Sequence, residues 1–350
     1  MDEQHVGADP CVRPTNNEQR IITLAHGNGG KLTQRLIKEH FASQFANEYL
    51  NKMTDSAIVE VNGVKLAFTT DSYVIKPHFF PGGNIGKLAV CGTVNDLSVM
   101  GAVPKYISCA LIIEEGFSIT ELDVIIKTMK EEADRAGVKI VTGDTKVVDK
   151  GSADKIFINT SGIGEVKYNI IENKISVGDK IIVNGTLGDH GIAIFSAREN
   201  LNIKSEIKSD SASLNSLIFS VLEKYPNIKF MRDITRGGLA TVLNEVCANE
   251  EFGIEVYENK IPVREDVKAV CELLGFDPIY IANEGKVLMI APADTADNVL
   301  KIMRGHKDGV NAQIIGEINT THSGKAYMKT SIGGRRIIDM LVSDQLPRIC

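Results

Sequence analysis

Tryptophan is absent from this chain, and aromatic residues make up only 6% of its 350 positions. No stretch interleaves lysine or arginine with rings as a single-strand nucleic-acid platform requires. A formal net charge of -6 and a pI near 5.7 set the molecule as a whole against a polyanionic partner. Uncharged apolar runs never reach the length of a bilayer-spanning helix. Residues 1–20 are polar, carry Pro10 and Pro14, and lack the basic segment and apolar core of a secretory signal, so the expected compartment is the cytoplasm. The six cysteines, at 11, 91, 109, 247, 271 and 350, form no CxxC pair. That disfavours structural zinc and iron–sulfur clusters and reads the internal thiols as small core hydrophobes in a reducing compartment. Neither the G-x-x-x-x-G-K-[ST] phosphate loop nor a strand-to-helix G-x-G-x-x-G occurs, which argues against a P-loop ATPase and a nicotinamide enzyme.

What is present is enough for two ordinary domains: 43% hydrophobic and 24% charged residues, globular throughout. A turn at His26-Gly27-Asn28-Gly29-Gly30 precedes a predicted helix from Leu32 to about Phe45. Ile58–Val61, Asn62-Gly63 and Val64–Thr69 predict a hairpin that delivers Asp71 at the end of its second strand. Helices are predicted over Gly86–Met100, on the spacing of Leu88, Cys91, Val94 and Leu97, and over Thr120–Ala136, which Gly137 stops. Strands follow at Tyr106–Ile113, at Lys139–Thr142 presenting Gly143-Asp144-Thr145-Lys146, and at Lys155–Gly162. The polar segment 167–178 marks a boundary. Beyond it come strands at 181–183, 287–290 and 313–315 and helices near Gly191–Asn200, Ser213–Glu223 and from Gly238. The expected class is α+β: mixed sheet-and-helix layers, each sheet covered on one face.

Asp71, Asp96 and Asp144 each close a hydrophobic segment, and carboxylates from separate elements can converge on one Mg²⁺; each can equally be a cap or an Asx turn. Gly27, Asn28, Gly29, Gly30 and Lys31 form a glycine-rich run whose amides, with a helix amino terminus behind them, can approach an anion, or which is simply a turn. Lys146, two residues past Asp144, can offset charge on a transferred phosphoryl group or sit solvated at the surface. Arg232-Asp233 with Thr235-Arg236-Gly237-Gly238 is a second polar, glycine-rich approach to a helix, a phosphate loop or a capping motif. Glu284, in a partly apolar setting beside Gly285, is a candidate general base or a turn residue. His26 and His190 lack metal-site spacing and can touch a phosphate or a partner. Cys350, last after Pro347, Arg348 and Ile349, places a thiol at the tip of a tail, where a group can be carried between two sites.

Together these blocks resemble the hydrogenase maturation HypE family of carbamoyl dehydratases, within the superfamily of aminoimidazole ribonucleotide synthetase, selenophosphate synthetase and thiamine monophosphate kinase. They are His26–Lys31, Thr70-Asp71-Ser72, Gly92–Asp96, Thr142–Val147, Asn184-Gly185 with Gly188–Gly191, Asp233 with Thr235–Gly238, Asn283–Gly285 and Pro347-Arg348-Ile349-Cys350. The match spans nearly the whole chain, and the Pro-Arg-Ile-Cys end distinguishes this family from its relatives. The resemblance implies a two-domain protomer: a flexible arm 1–20, an ATP-binding and dimerisation domain 21–166, a second domain 167–340, and a mobile tail 341–350 carrying Cys350. It implies a homodimer, with ATP and Mg²⁺ held at the Gly27–Gly30 loop, Lys31, Asp71, Asp96, Asp144 and Lys146. It implies that Cys350 accepts a carbamoyl group from a HypF partner, that ATP drives dehydration to a thiocyanate, and that a HypC–HypD complex takes the cyanide for an iron centre. Catalytic candidates are then Cys350, Glu284 as base for the nitrogen and Lys146 for the phosphoryl group, with Arg348 favouring the thiolate and Pro347 guiding the tail. Two other readings stay open at this stage: a relative that phosphorylates a small molecule or closes a ring, with Cys350 incidental, and a scaffold without turnover.

Overall fold

The computed structural model describes residues 21–199, 206–342, 346, 349 and 350. A short 3₁₀ turn (Leu24–Gly27) leads into α1 (Lys31–Leu36), which runs through a π-helical stretch (Ile37–Ala42) into α2 (Ser43–Phe45). The hairpin follows as predicted. β1 (Ala57–Val61) and β2 (Val64–Tyr73) pair antiparallel around Asn62 and Gly63, both at positive φ, the two-residue turn whose twist matches that of the strands. β2 outruns its prediction, so Asp71 lies inside the strand rather than beyond it. The small ribbon β3 (Phe79–Phe80) and β4 (Gly83–Asn84) precedes α3 (Ile85–Val99), capped by the Asn84 side chain, which accepts from the Gly86 and Lys87 amides. β5 (Ala102–Glu114), α4 (Ile119–Ala136), β6 (Lys139–Val148) and β7 (Ile156–Val166) complete a five-stranded sheet in the order β1-β2-β7-β5-β6. Ser118 caps α4, and Gly137, at φ 72°, closes it with its amide on the Ala133 carbonyl.

α3 is apolar almost all round and nearly every residue of it is buried, because it is packed on two sides. It lies across β2, β5 and β7 and also meets α4 and the second half of the chain. The opposite face of the sheet is uncovered: Phe68, Ile163 and Tyr106, aligned across β2, β7 and β5, are all exposed.

The second half holds β8 (Lys180–Val183), α5 (Asp189–Arg198), α6 (Asn215–Leu222), β9 (Phe230–Asp233), α7 (Gly238–Cys247), β10 (Gly253–Tyr257), α8 (Glu265–Leu274), β11 (Val287–Ala291), α9 (Ala296–Arg304), β12 (Gln313–Asn319), β13 (Ala326–Lys329) and β14 (Arg335–Ile338). Its seven strands order β14-β13-β10-β12-β8-β11-β9. Here the expectation of one covered face fails. Ile181 and Val183 pack towards α7 while Ile182 packs towards α6 and α9, and β11 is buried along its whole length. A continuous apolar run such as Val287–Ala291 marks a strand buried on both sides. No helix among the described residues is long and apolar enough to cross a membrane.

Candidate active site

Between the sheets lies a cavity of about 400 Å³. Asp71 reaches it from β2, Asp96 from α3, Asp233 from the end of β9, Glu284 from the loop before β11, and Cys350 from the chain terminus. The Tyr73 hydroxyl donates to Asp71 Oδ2 at 3.2 Å, Thr69 Oγ1 donates to Asp96 Oδ2 at 2.7 Å, and the Asp71 carboxylate repels that of Asp96. Arg236 brings positive charge to this wall. It precedes Gly237 and Gly238, at φ 75° and 62°, and a side chain on Gly238 would lie 2.5 Å from the Ile279 carbonyl oxygen, so only glycine turns the chain into α7 here. The Arg236 guanidinium donates to the Gly27 carbonyl at 2.9 Å. Arg232, the other cation, donates to Asp55 Oδ1 at 2.8 Å and pairs with Glu245.

Carboxylates outnumber cations here, and burial is the largest influence on them. It pushes Asp71 up, and it pushes Asp96, Asp233 and Glu284 well above the usual carboxylate range, neighbouring carboxylates adding to the last three. For Glu284 the added repulsion comes from Asp233, Asp210 and Asp71, while Arg236 opposes it. Arg236 is held above its ordinary value by Cys350 first, then by Asp71 and Glu284. The Glu284 backbone is clamped: Asp210 accepts from the Glu284 amide at 3.1 Å, the Gly285 amide at 3.3 Å and Lys286 Nζ at 2.7 Å. Asn95 of α3 adds a bond to the Glu284 carbonyl at 3.4 Å. A buried carboxyl on a rigid backbone, proton affinity raised, is the arrangement of a general base.

Of the predicted residues, Asp71, Asp96, Glu284 and Cys350 converge. Asp144 and Lys146 do not join them within one chain. Both lie inside β6, an edge strand, and Lys146 Nζ donates to Asp144 at 2.8 and 2.6 Å, the side chains 66% and 62% exposed. The Lys146 bond holds the Asp144 carboxyl below its usual range. The cause is register. Asp144 stands in a row with Ala110, Asn159 and Ser72, whereas Asp71 pairs with Thr160, so successive positions put the two aspartates on opposite faces of the sheet.

In the glycine-rich run, part of the backbone is engaged by the chain itself. The Lys31 and Leu32 amides donate to the Leu341 and Val342 carbonyls at 2.9 and 3.3 Å, and the Gly29 amide donates to Thr33 Oγ1 at 2.9 Å. A Cβ on Gly29 would stand 2.9 Å from Arg236 Cβ, and one on Gly30 2.6 Å from the Leu341 carbonyl oxygen, so these glycines serve close chain packing. Lys31 Nζ donates to Asp339 at 2.8 Å. Gly27, Asn28 and His26 line a second, larger cavity of about 740 Å³, which meets the first at Arg236 and Cys350.

Among the described residues no three of His, Cys, Asp and Glu could enclose an ion by themselves. Mg²⁺ asks less, since it takes one or two carboxylates and fills its shell with phosphate oxygens and water. The Asp71–Asp96 pair, hard oxygens crowded among like charges, fits that demand. The chain terminus, predicted as a mobile tail, is seated in this structure. Ile349 and Leu346 are buried in an apolar cluster that both halves of the chain build, and the Val74 amide donates to the Cys350 carbonyl at 3.1 Å. Pro347, Arg348 and the arm 1–20 lie outside the described residues. Sequence reading missed Asp55, Asp210, Lys286 and Asn95. Asn95 stands in the Gly92–Asp96 block but was given no role; the other three sit in no motif, and Asp210 and Lys286, 76 positions apart, meet only through the fold.

Comparison with known proteins gives two matching family models, both of AIR synthase related proteins: the N-terminal domain over residues 53–166 and the C-terminal domain over 176–329. The carbamoyl dehydratase HypE of Rhodobacter capsulatus is 47% identical over 334 residues, covering 94% of this chain and 98% of that protein. Among solved structures, a HypE–HypF complex superposes with a TM-score of 0.82 at 49% identity, over 87% of this chain and 99% of the matched one. A HypE in complex with ATP does so at 0.79 and 44%, over 93% and 99%.

Proposed function

The chain belongs to the carbamoyl dehydratase HypE family, and from that premise we propose how its own residues carry the reaction. The enzyme dehydrates a carbamoyl group on Cys350 to a thiocyanate, at the expense of ATP, for hydrogenase maturation. The single observation that carries this reading onto the chain is that Cys350 lines one cavity with Asp71, Asp96, Arg236 and Glu284. A relative with an incidental terminal cysteine has no reason to seat it there.

The carbonyl oxygen of the thiocarbamate attacks the γ-phosphorus of ATP, ADP leaves, and one nitrogen proton is lost, giving an O-phosphorylated imidate. Loss of the second nitrogen proton expels phosphate and leaves the S-bound nitrile. Oxide is a poor leaving group and phosphate a good one, which is why the nucleotide is needed. Glu284 takes a nitrogen proton, which burial helps it to hold, and the departing phosphate can carry the other away as hydrogen phosphate. Arg236 is placed to balance the negative charge collected beside Cys350. Asp71 and Asp96 are the residues of this chain that would hold Mg²⁺, which when bound neutralises phosphate oxygens.

Asp144 and Lys146 enter this scheme through a second copy. The uncovered sheet face bearing Phe68, Ile163 and Tyr106, with Asp144 on the same side, supports a twofold dimer in which residues 21–166 pair and Asp144 and Lys146 of each copy serve the nucleotide site formed at the joint. Residues 167–340 form the second domain. HypF supplies the carbamoyl group, as the solved HypE–HypF complex supports, and a HypC–HypD complex accepts the cyanide.

The test is to incubate the protein with HypF, carbamoyl phosphate and Mg-ATP and to weigh the peptide containing Cys350. A carbamoyl mass that becomes a nitrile mass only with hydrolysable ATP is the expected result. ATP turnover with Cys350 unmodified would sink the proposal.

A further inference from the structure

His190 is buried completely in the first turn of α5, yet it belongs to none of the carboxylate machinery. Its ring has two polar partners: Nε2 lies 2.6 Å from the Ile349 carbonyl oxygen and Nδ1 lies 2.7 Å from Ser209 Oγ. A carbonyl can only accept, so Nε2 carries the proton and Nδ1 accepts from the Ser209 hydroxyl; the network assigns the tautomer. Ser209 Oγ in turn accepts from the Ser211 amide at 3.1 Å, and the Ser209 amide donates to the Pro81 carbonyl at 2.8 Å, which ties this segment to the first half. Phe80 packs edge-on against the imidazole at 5.8 Å. Burial holds His190 below its usual range, in keeping with a neutral ring.

We propose that His190 and Ser209 form a latch that holds the terminal tail in the cavity, a positioning pair for Cys350. The proposal rests on the reading that the tail carries the reacting group. Such a tail must leave to be loaded by a separate protein and return to be dehydrated, so its docking must be specific and reversible. A hydrogen bond to one tail carbonyl meets both needs: lost, it leaves the buried Ile349 carbonyl without the partner that favours docking. The latch also abuts the base. Ser209 is followed directly by Asp210, which grips the Glu284 and Gly285 amides, so seating of Ile349 and placement of Glu284 depend on one short segment.

The measurement is the rate at which iodoacetamide alkylates Cys350 in the full-length protein, read from the mass of the terminal peptide, alongside single-turnover carbamoyl loading and nitrile formation. His190→Ala is expected to raise the alkylation rate roughly 5- to 30-fold, the effect of losing a buried hydrogen bond at a docked segment. His190→Gln, whose amide can donate to the same carbonyl, is expected to restore most of the protection, and Ser209→Ala to raise the rate by a smaller factor. Loading by HypF should be undiminished in these variants while nitrile formation slows. Should His190→Ala misfold, as judged by its melting transition, Ser209→Ala carries the test. Alkylation rates in the folded alanine variants within about twofold of the unaltered protein would overturn the latch. Alkylation does not depend on dehydration, so failure of the dehydratase reading would show separately, as a Cys350 that never gains carbamoyl.

Discussion

Glu284 shows how much a single residue's role depends on where it is put. In solution its carboxyl would be ionised and weakly basic; buried beside Asp233, Asp210 and Asp71 it binds a proton far more readily. Glu284→Gln should therefore cost about 10²- to 10⁴-fold in nitrile formation while leaving carbamoylation of Cys350 intact, so that the terminal peptide accumulates at the carbamoyl mass. The pH dependence has a definite sign. Dehydration needs the carboxylate, so the single-turnover rate should fall as pH drops through an apparent pKa well above that of an ordinary glutamate, and the residual rate of the Gln variant should lack that limb. Glu284 was legible in the sequence as an acid beside glycine after an apolar run. Its clamp by Asp210 was not, because hydrogen bonds between distant residues leave no local pattern.

Elements explain why the site residues arrive where they do. β2 carries Thr69, Asp71 and Tyr73 on its inner face by simple alternation, and α3 brings Asp96 and Asn95 on successive positions, one to the cavity and the other to the Glu284 carbonyl. The turn into α7 is the tightest constraint. Gly238→Ala would place a methyl against the Ile279 and Ile281 carbonyls in a left-handed backbone, and should destabilise the protein by about 1–3 kcal/mol, measurable as a lower denaturation midpoint with lost ATP turnover through displaced Arg236. Hairpin, helix stop and helix spacing were legible because their signals are local: Asn62-Gly63 and Gly137 each act within a few residues. β10, β13 and β14 escaped because strand pairing is decided by neighbours far along the chain and their propensities alone are weak, whereas α8 and α9 do carry a local helical spacing, Val267, Val270 and Cys271 in one and Ala296, Val299 and Met303 in the other.

At the scale of the whole molecule, Asp71 and Asp144 face opposite sides of one sheet, so a second chain must join them if they serve one nucleotide. Tyr106→Glu with Ile163→Glu, charges placed on the uncovered face, should convert a dimer to a monomer in light scattering and abolish nitrile formation. Mixing and refolding an Asp71→Asn chain with an Asp144→Asn chain should recover roughly a quarter of the native rate, since about half of the random dimers hold one intact site of two. No recovery would place both aspartates in the service of the same chain's site. The crowded carboxylates have a cost that a cation relieves. In chelator, Asp96→Asn should raise the melting temperature by about 1–2 °C, the equivalent of about 1 kcal/mol in a chain of this size, while weakening the stabilisation that Mg-ATP confers on the native protein.

Taken by itself, the sequence determined the secondary elements with local signals, the motif blocks and the terminal Pro-Arg-Ile-Cys, because capping, turn formation and hydrophobic spacing act over a few residues. Only the tertiary structure decided that Asp71, Asp96, Asp233, Glu284 and Cys350 share a cavity while Asp144 and Lys146 stand apart. It alone spent the Lys31 and Leu32 amides on the Leu341 and Val342 carbonyls, and put His190 against the Ile349 carbonyl. Strand register and long-range packing make those assignments, and both are properties of the folded chain as a whole rather than of any segment within it.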